Sequence, residues 1–356
     1  MLHSVIMAGG VGARFWPISR RQRPKQLLDL LGEGSLIEQT LSRIEPLVAP
    51  ERRWIVTSPS QAGLIHEMVP SLSASRFILE PMGKNTAPAI GLSAVHLLRQ
   101  DPDAVMLVLP ADHRISEVEK FRECLMTAVE MVSNSDRLAT LGIEPTRPET
   151  GYGYIQIDRA AGAISSGVWR VKTFAEKPNP TAAKLFLESG EFLWNSGIFV
   201  WRADVILRQL AEHQPKWYSG LQEIAGVIGT PDEEEMARHV FAALKGISID
   251  YAVMEHAPQV IVVQGTFGWS DVGSWDEIWR LLQQDKDGNA SRGTARLVQS
   301  KNNLVLARER LIALVGVEDM IVVDAGDAIL ICPRSESQRV RALVDELEKS
   351  SEDSYL

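Results

Sequence analysis

Cysteine is almost missing from these 356 residues: Cys124 and Cys332 are the only two, far apart and outside any Cys-x-x-Cys spacing. They fit a reducing compartment better than a disulfide framework, and both cysteines are expected as buried packing residues. Long hydrophobic runs are lacking too. No stretch approaches the ~18 apolar residues that span a bilayer, and only about five precede the first glycines, too few for a secretory leader. A soluble, cytoplasmic protein with no membrane partner is the expectation. Positive charge is in deficit, since 37 Lys and Arg against 46 Asp and Glu leave a formal net charge of −9. A nucleic-acid partner, which calls for a basic face, is argued against, and any phosphate chemistry must be local. The length allows one large α/β domain and a smaller appendage with a substantial core.

Short β-branched runs at 4–8, 54–58, 104–110 and 138–142 alternate with helical patterns such as 36–47 and 121–132, whose apolar residues recur at spacings of three and four. This is the order of a mostly parallel sheet, in which ligands lie beyond the carboxyl ends of the strands. Further strands are expected at 168–175, 198–201 and 260–263. The polar stretch 283–291, QQDKDGNAS, reads as a linker. Apolar runs near Ala295, Leu304, Ile312, Ile321 and Ile329 follow at spacings of about eight or nine residues, as stacked short strands require. The chain closes on a helical pattern over 335–349, with Ser335 and Gln338 as a capping box and Val340, Leu343, Val344 and Leu347 as an apolar face for packing or subunit contact.

Residues 6–17, IMAGGVGARFWP, leave a strand through three glycines in four positions. The P-loop requires Gly-Lys-Ser/Thr and the dinucleotide fingerprint a third glycine where Phe15 stands, so both fail. What remains is bare backbone N–H from Gly9 to Gly12 for an anion, backed by Arg14 as a bidentate phosphate donor. A tight strand-to-helix turn accounts for the glycines about as well. In RPKQLLDL, residues 23–30, Pro24 and the leucines from Leu27 onward give Lys25 a stiff base from which to project.

Asn85 and Thr86 precede Ala87-Pro88 as helix caps, a reading that spacing alone favours over contact with a base edge. VMLVLPADHRI, residues 105–115, is a strand apolar on both faces and therefore central. It delivers Asp112 where a hard divalent cation bridging phosphates would be held, with His113 beside it. ETGYGYI (149–155) offers Gly151 and Gly153 between aromatics as a surface for a sugar ring. FAEKP places Glu176 beside Lys177, WNSGIFVW presents Asn195 just before a strand, and FGWSDVGSWDEIW sets Asp271 in a Gly-rich turn. Each alone could be a turn or an ion pair, but together they suit a sugar phosphate.

Nine motifs in order, AGGVGARFWP, PKQ, NTAPAI, PADH, ETGYGYI, FAEKP, WNSGIF, SIDYAVME and WSDVGSW, run from residue 8 to 275. In this the chain closely resembles the mannose-1-phosphate guanylyltransferases, or GDP-mannose pyrophosphorylases, of the sugar-nucleotide pyrophosphorylase superfamily. The resemblance implies an α/β fold: a Rossmann-like nucleotidyltransferase domain with a mostly parallel central sheet over 1–285, and a small C-terminal β-helix-like domain over 292–356 ending in a helix. It implies that Ala8, Gly9, Gly10, Gly12, Arg14 and Lys25 form the triphosphate site of GTP and that Asn85 and Thr86 read the base. Asp112 and Asp271 match the paired magnesium ligands. Gly153, Glu176 and Asn195 match the positions that hold the sugar, and Lys177 the one near its phosphate. Lys84 and His256 depart from the arginine before NTAP and the basic residue after Met-Glu that are common in the family, which bears on affinity rather than activity.

On this basis the expected reaction is in-line attack of mannose 1-phosphate on the α-phosphorus of GTP, with Mg2+, giving GDP-mannose and pyrophosphate. Competing readings are a same-fold enzyme for another sugar phosphate, such as a heptose phosphate, or another nucleotide, and a catalytically silent regulatory subunit. The presence of Lys25, Asp112 and Asp271 favours an enzyme. The end at Leu356 leaves no room for the isomerase domain of longer relatives, so a monofunctional enzyme is expected, and the family suggests a homodimer through the tail domain.

Overall fold

The apolar run before the first glycines is a strand, Leu2–Met7, in the computed structural model, which describes all 356 residues. It lies inside a nine-stranded sheet whose order is Phe77–Leu79, Arg53–Thr57, Leu2–Met7, Val105–Pro110, Phe192–Arg202, Leu138–Ile143, Val260–Gly265, Val168–Ala175 and Tyr154–Ile157. The parallel pairings run from Phe77–Leu79 to Val105–Pro110 and between Leu138–Ile143 and Val260–Gly265. Only Val168–Ala175 and Phe192–Arg202 run against the rest. Val105–Pro110 is central, as its apolar character on both faces demands.

The sheet belongs to the first of two compact units, made of Met1–Gly9, Ser42–Ala111 and Ile115–Trp269. Helix Val118–Ser133 buries Phe121, Leu125, Ala128 and Val132, one face at helical period, and packs on strands Leu138–Ile143 and Phe192–Arg202. Helices Thr86–Gln100, Ala203–His213, Pro215–Val227 and Glu233–Ala243 pack on one another over the main core. Their approach is close enough that a Cβ on Gly91 would stand 2.4 Å from Leu221 Cδ1.

The second unit consists of Gly10–Leu41, Asp112–Arg114 and Ser270–Leu356. Packing thus gathers residues 10–41 and 112–114 with the C-terminal segment. One core holds Phe15, Trp16, Leu28 and Leu36 together with Trp275, Leu304, Ile321 and Val340. The C-terminal part is a parallel β-coil: Ala290–Arg292, Leu304–Leu306 and Met320–Asp324 stack in one ladder, and Ala295–Val298 and Ile312–Val315 in another. The first two turns of the coil each contribute a strand to both ladders, which explains the short spacing of apolar runs, and the last strand, Ile329–Pro333, folds back antiparallel on Met320–Asp324.

The polar stretch 283–291 is an ordered turn: Asp285 Oδ1 accepts from the N–H of Asp287 and Asn289, both at 2.9 Å, and Ala290 already starts a strand. One local expectation is corrected. The Ser335–Gln338 capping box does not form. Those residues lie in a 3-10 turn, Arg334–Arg339, pinned by Arg334 Nε on Asp276 at 2.8 Å, and the α-helix starts only at Val340. Its apolar face, Val340, Leu343, Val344 and Leu347, packs on the second unit's core. No helix is long and apolar enough to cross a membrane.

Candidate active site

The glycine-rich stretch crosses from one unit to the other: Ala8 and Gly9 belong to the first, Gly10 and Gly12 to the second. In the second unit Gly10, Gly12, Arg14, Lys25, Asp112 and Asp271 line one pocket of about 600 Å³. Nothing lies within 4 Å of where a Cβ on Gly10 would be, so its backbone faces open space. Gly12 meets a different constraint. Its φ is +76°, and a Cβ there would stand 2.3 Å from Lys25 Cβ. The chain also closes on itself, Lys25 N–H donating to Val11 O at 3.0 Å and Ser19 Oγ to the same oxygen at 2.6 Å.

Lys25 does not project freely from its base, as expected from the sequence; it is buried and committed. Its Nζ donates to Asp112 Oδ2 at 2.7 Å and to the Asp271 carbonyl at 2.8 Å. One ammonium thereby ties together two segments that are far apart in sequence. Burial acts to raise the Asp112 pKa, but the Lys25 ammonium, helped by His113, overrides it and holds the carboxyl below the ordinary aspartate range. Arg14 Nη1 donates to Gly273 O at 3.1 Å, and a Cβ on Gly273 would lie 2.7 Å from Asp271 Oδ2. The glycine leaves room around that carboxylate.

No three His, Cys, Asp or Glu side chains are grouped to hold a metal ion. The pocket does offer two aspartates, Asp112 and Asp271. A hard cation such as Mg2+ is commonly held by one or two carboxylates with substrate phosphates completing its shell, and this donor set fits that pattern.

Phe15 and Trp16, unexplained by sequence, frame this pocket from the core. Phe15 meets Trp275 edge-on with centroids 5.0 Å apart; Trp16 Nε1 donates to Tyr355 O at 2.8 Å, and Trp275 Nε1 to Trp16 O at 3.0 Å.

In the first unit the structure groups Gly153, Glu176, Lys177 and Asn195. A Cβ on Gly153 would stand 2.5 Å from Glu176 Oε2 and 3.3 Å from Asn195 Cβ. Asn195 lies inside strand Phe192–Arg202 rather than before it, opposite Gly142 at a register break. There its Oδ1 accepts from Thr140 Oγ1 at 3.0 Å and Gly197 N–H at 3.2 Å, replacing ladder bonds the irregularity removes. Lys177 Nζ, exposed, reaches the buried Glu176 at 2.6 Å. Burial acts to lower the Lys177 pKa, and the Glu176 and Asp250 charges outweigh it and raise it. Tyr152 stands edge-on to Trp194 and Trp269, each 5.2 Å away.

Asp250 joins this group and was not singled out from sequence. Its Oδ1 accepts from Asn195 Nδ2 at 2.9 Å, and burial with the nearby Glu176 charge pushes its pKa up to about 6. The SIDYAVME stretch carries no glycine or strand-end signal to mark it. Glu80, also missed, is buried beside Gly9: a Cβ on Gly9 would lie 3.4 Å from Glu80 Oε2, and Glu80 Oε1 has no hydrogen-bond partner. Burial raises its pKa to about 7.

Asn85 and Thr86 are helix-start residues, as capping requires. Asn85 Oδ1 accepts from Thr86 N–H at 2.9 Å, and Thr86 Oγ1 from Ile249 N–H at 2.8 Å, tying the helix start to the segment that bears Asp250. Ala8 N–H is bound to Val56 O at 2.8 Å.

Residues 3–288 match the family model of nucleotidyl transferases, and residues 294–347 that of the MannoseP isomerase/GMP-like beta-helix domain. The whole chain is 38% identical to a mannose-1-phosphate guanylyltransferase of Escherichia coli and 37% identical to one of Klebsiella pneumoniae, spanning 76% of each. A solved structure from Thermus thermophilus, described as a mannose-1-phosphate geranyltransferase, superposes with a TM-score of 0.87 at 35% identity, covering 98% of this chain and 99% of that one.

Proposed function

Since the chain belongs to the mannose-1-phosphate guanylyltransferase family of nucleotidyltransferases, we propose that it transfers GMP from GTP to α-D-mannose 1-phosphate, releasing pyrophosphate and GDP-mannose. The observation that carries this reading is the convergence of Lys25, Asp112 and Asp271 beside the bare backbone of Gly10 and Gly12.

The reaction is an in-line displacement at phosphorus, which needs positioning and charge neutralisation rather than a covalent nucleophile. The sugar phosphate is already ionised, so no general base is needed and His113 is given no proton to take. The N–H groups of the glycine loop receive phosphate oxygens, and Arg14 and Lys25 offset charge on the departing pyrophosphate. Asp112 and Asp271 would hold Mg2+. Bound there, the cation supplies electrostatic stabilisation of the phosphates. Lys177 neutralises the sugar phosphate, while Glu176, Asn195 and the surface of Gly153 take the sugar. Asp250 orients Asn195 and adds an acceptor for a hydroxyl. Glu80, an acceptor lacking a donor, suits the N–H edge of guanine beside Gly9, with Asn85 and Thr86 on the same unit.

The test is pyrophosphate release with Mg2+ across four nucleoside triphosphates and a panel of sugar 1-phosphates. GTP with mannose 1-phosphate is expected to be the preferred pair; turnover with a heptose or other sugar phosphate instead would overturn the substrate, and no turnover with any pair would favour a silent subunit. Asp112→Ala and Asp271→Ala should each lower kcat by about 10²-fold or more with circular dichroism unchanged, on the scale of losing a key electrostatic group. Near-normal rates in either would remove the metal role.

The coil strands leave Val298, Val315, Ile329 and Ile331 exposed, the last two on an edge strand. These support a homodimer through the coil, and a monomer mass in sedimentation at micromolar concentration would refute it. Both cysteines are free, with thiol pKa values raised by burial, which supports a cytoplasmic setting.

A further inference from the structure

The second unit carries another groove, of about 730 Å³, walled by residues between Pro17 and Leu30 and by two turns of the coil, Leu306–Arg310 and Asp324–Asp327. Five arginines line it, Arg20, Arg23, Arg292, Arg308 and Arg310, against four carboxylates, Asp29, Glu309, Asp324 and Asp327, which leaves a small positive excess. In a chain of net charge −9 this concentration opposes the overall sign.

The five are not equally engaged. Arg292 is held by Asp29, its Nη2 donating to Oδ2 at 3.1 Å and its Nη1 to the backbone oxygen at 2.9 Å. Arg20 is held by Asp327 at 2.9 Å and by Pro17 O at 2.7 Å. Arg308 gives Nη1 to Ala325 O at 3.0 Å, and its nearest carboxylate, Glu309, is 3.8 Å away. Arg310 bonds Gly326 O and lies 3.8 Å from the buried Asp324 carboxylate. Arg23 has no side-chain hydrogen bond or ion pair at all. A guanidinium offers five N–H donors, so Arg23 and Arg308 hold most of theirs unmatched over one cavity.

The turn that aims Arg308 is itself constrained. Gly326 has φ +96°, and a Cβ there would stand 3.1 Å from Arg308 Nη1. No buried carboxylate requires Arg23 or Arg308, and like charges sharing a wall repel. Planar guanidinium groups match phosphate oxygens bidentately, while Pro17, Ile18 and Leu306 offer carbon surface in a cavity of ordinary ligand size.

We propose that this groove binds an organic phosphate, a small metabolite's phosphomonoester, as a ligand separate from the substrates. Its effect would pass through a short stiff segment. Arg20 and Arg23 bond each other's backbone twice, at 3.0 and 2.9 Å, Arg20 also lines the phosphate pocket, and Lys25 follows two residues later. Occupancy of the groove therefore changes how Lys25 is presented.

The proposal is tested by calorimetric titration of the full chain with inorganic phosphate, a hexose 6-phosphate and GMP. Wild type, the double variant Arg23→Ala/Arg308→Ala, and Arg14→Ala as a pocket control are compared, with melting temperature as the folding check. The double variant is expected to lose at least about tenfold in affinity for one of the organic phosphates while Arg14→Ala retains it, a gap of about 1.4 kcal/mol or more. Which of the two is bound more tightly identifies the organic part. Loss in Arg14→Ala but not in the double variant, or no binding by wild type, overturns the site; equal affinity for inorganic phosphate overturns the organic ligand. The binding result stands whichever sugar the enzyme uses. In turnover, the bound phosphate should shift the KM for GTP about fivefold in wild type and not in the double variant.

Discussion

At Glu80 and Lys25 the same protein treats buried charge in opposite ways. Lys25 meets Asp112 at 2.7 Å, so a buried ammonium is satisfied by a partly exposed carboxylate; Glu80 has an oxygen with no partner. Glu80 should therefore titrate near pH 7, well above the usual glutamate value. A carboxyl raised in the folded chain favours folding most below its ordinary pKa near 4.5, and that contribution is lost as pH rises through about 7. Glu80→Gln is accordingly expected to melt above wild type at pH 8, by up to about 3 kcal/mol, with the gap closing near pH 4. Equal stabilities at both pH values in a denaturant titration would contradict this. Sequence could mark Lys25, because Pro24 and a leucine run announce a stiffened lysine. It could not mark Glu80 or Asp250, whose significance is burial beside another residue's backbone or carboxylate.

Among the elements, the β-coil shows how a weak local pattern becomes definite. Its apolar runs gave the spacing, but the turns are fixed by a pair of asparagines. Asn303, fully buried, donates through Nδ2 to Asn289 Oδ1 at 3.0 Å and Val317 O at 2.8 Å, and accepts from Met320 N–H at 2.9 Å. Asn303→Leu would leave these partners unmatched in the interior, so a loss of about 3 kcal/mol is expected, read as a lower urea midpoint. A change below about 0.5 kcal/mol would show that the ladder holds without it. The helix over 118–133 was legible because its apolar residues fall on one face. The capping box at 335–338 misled because Arg334 is anchored to Asp276, a residue 58 positions earlier.

For the whole molecule, the consequence lies in how the second unit is assembled. Trp275 donates to the Trp16 carbonyl and packs on Phe15, and the coil residues Leu304 and Ile321 belong to the same core. The glycine loop and Lys25 thus rest on residues from the far end of the chain. A fragment of residues 1–285 should lose near-UV circular dichroism and all pyrophosphate release. A fragment that stays folded and active would show the coil to be dispensable.

Sequence alone determined the α/β order and offered a glycine-rich strand exit with Arg14, Lys25, Asp112 and Asp271 as candidate site residues, because each depends on residue type at short spacing. Tertiary structure decided which of them meet. Lys25 bonding both Asp112 and the backbone of Asp271, Asn195 bonding Asp250, and Arg23 and Arg308 sharing a groove are contacts between distant segments. Such contacts are set by packing of the folded chain, and no periodicity or local spacing records them.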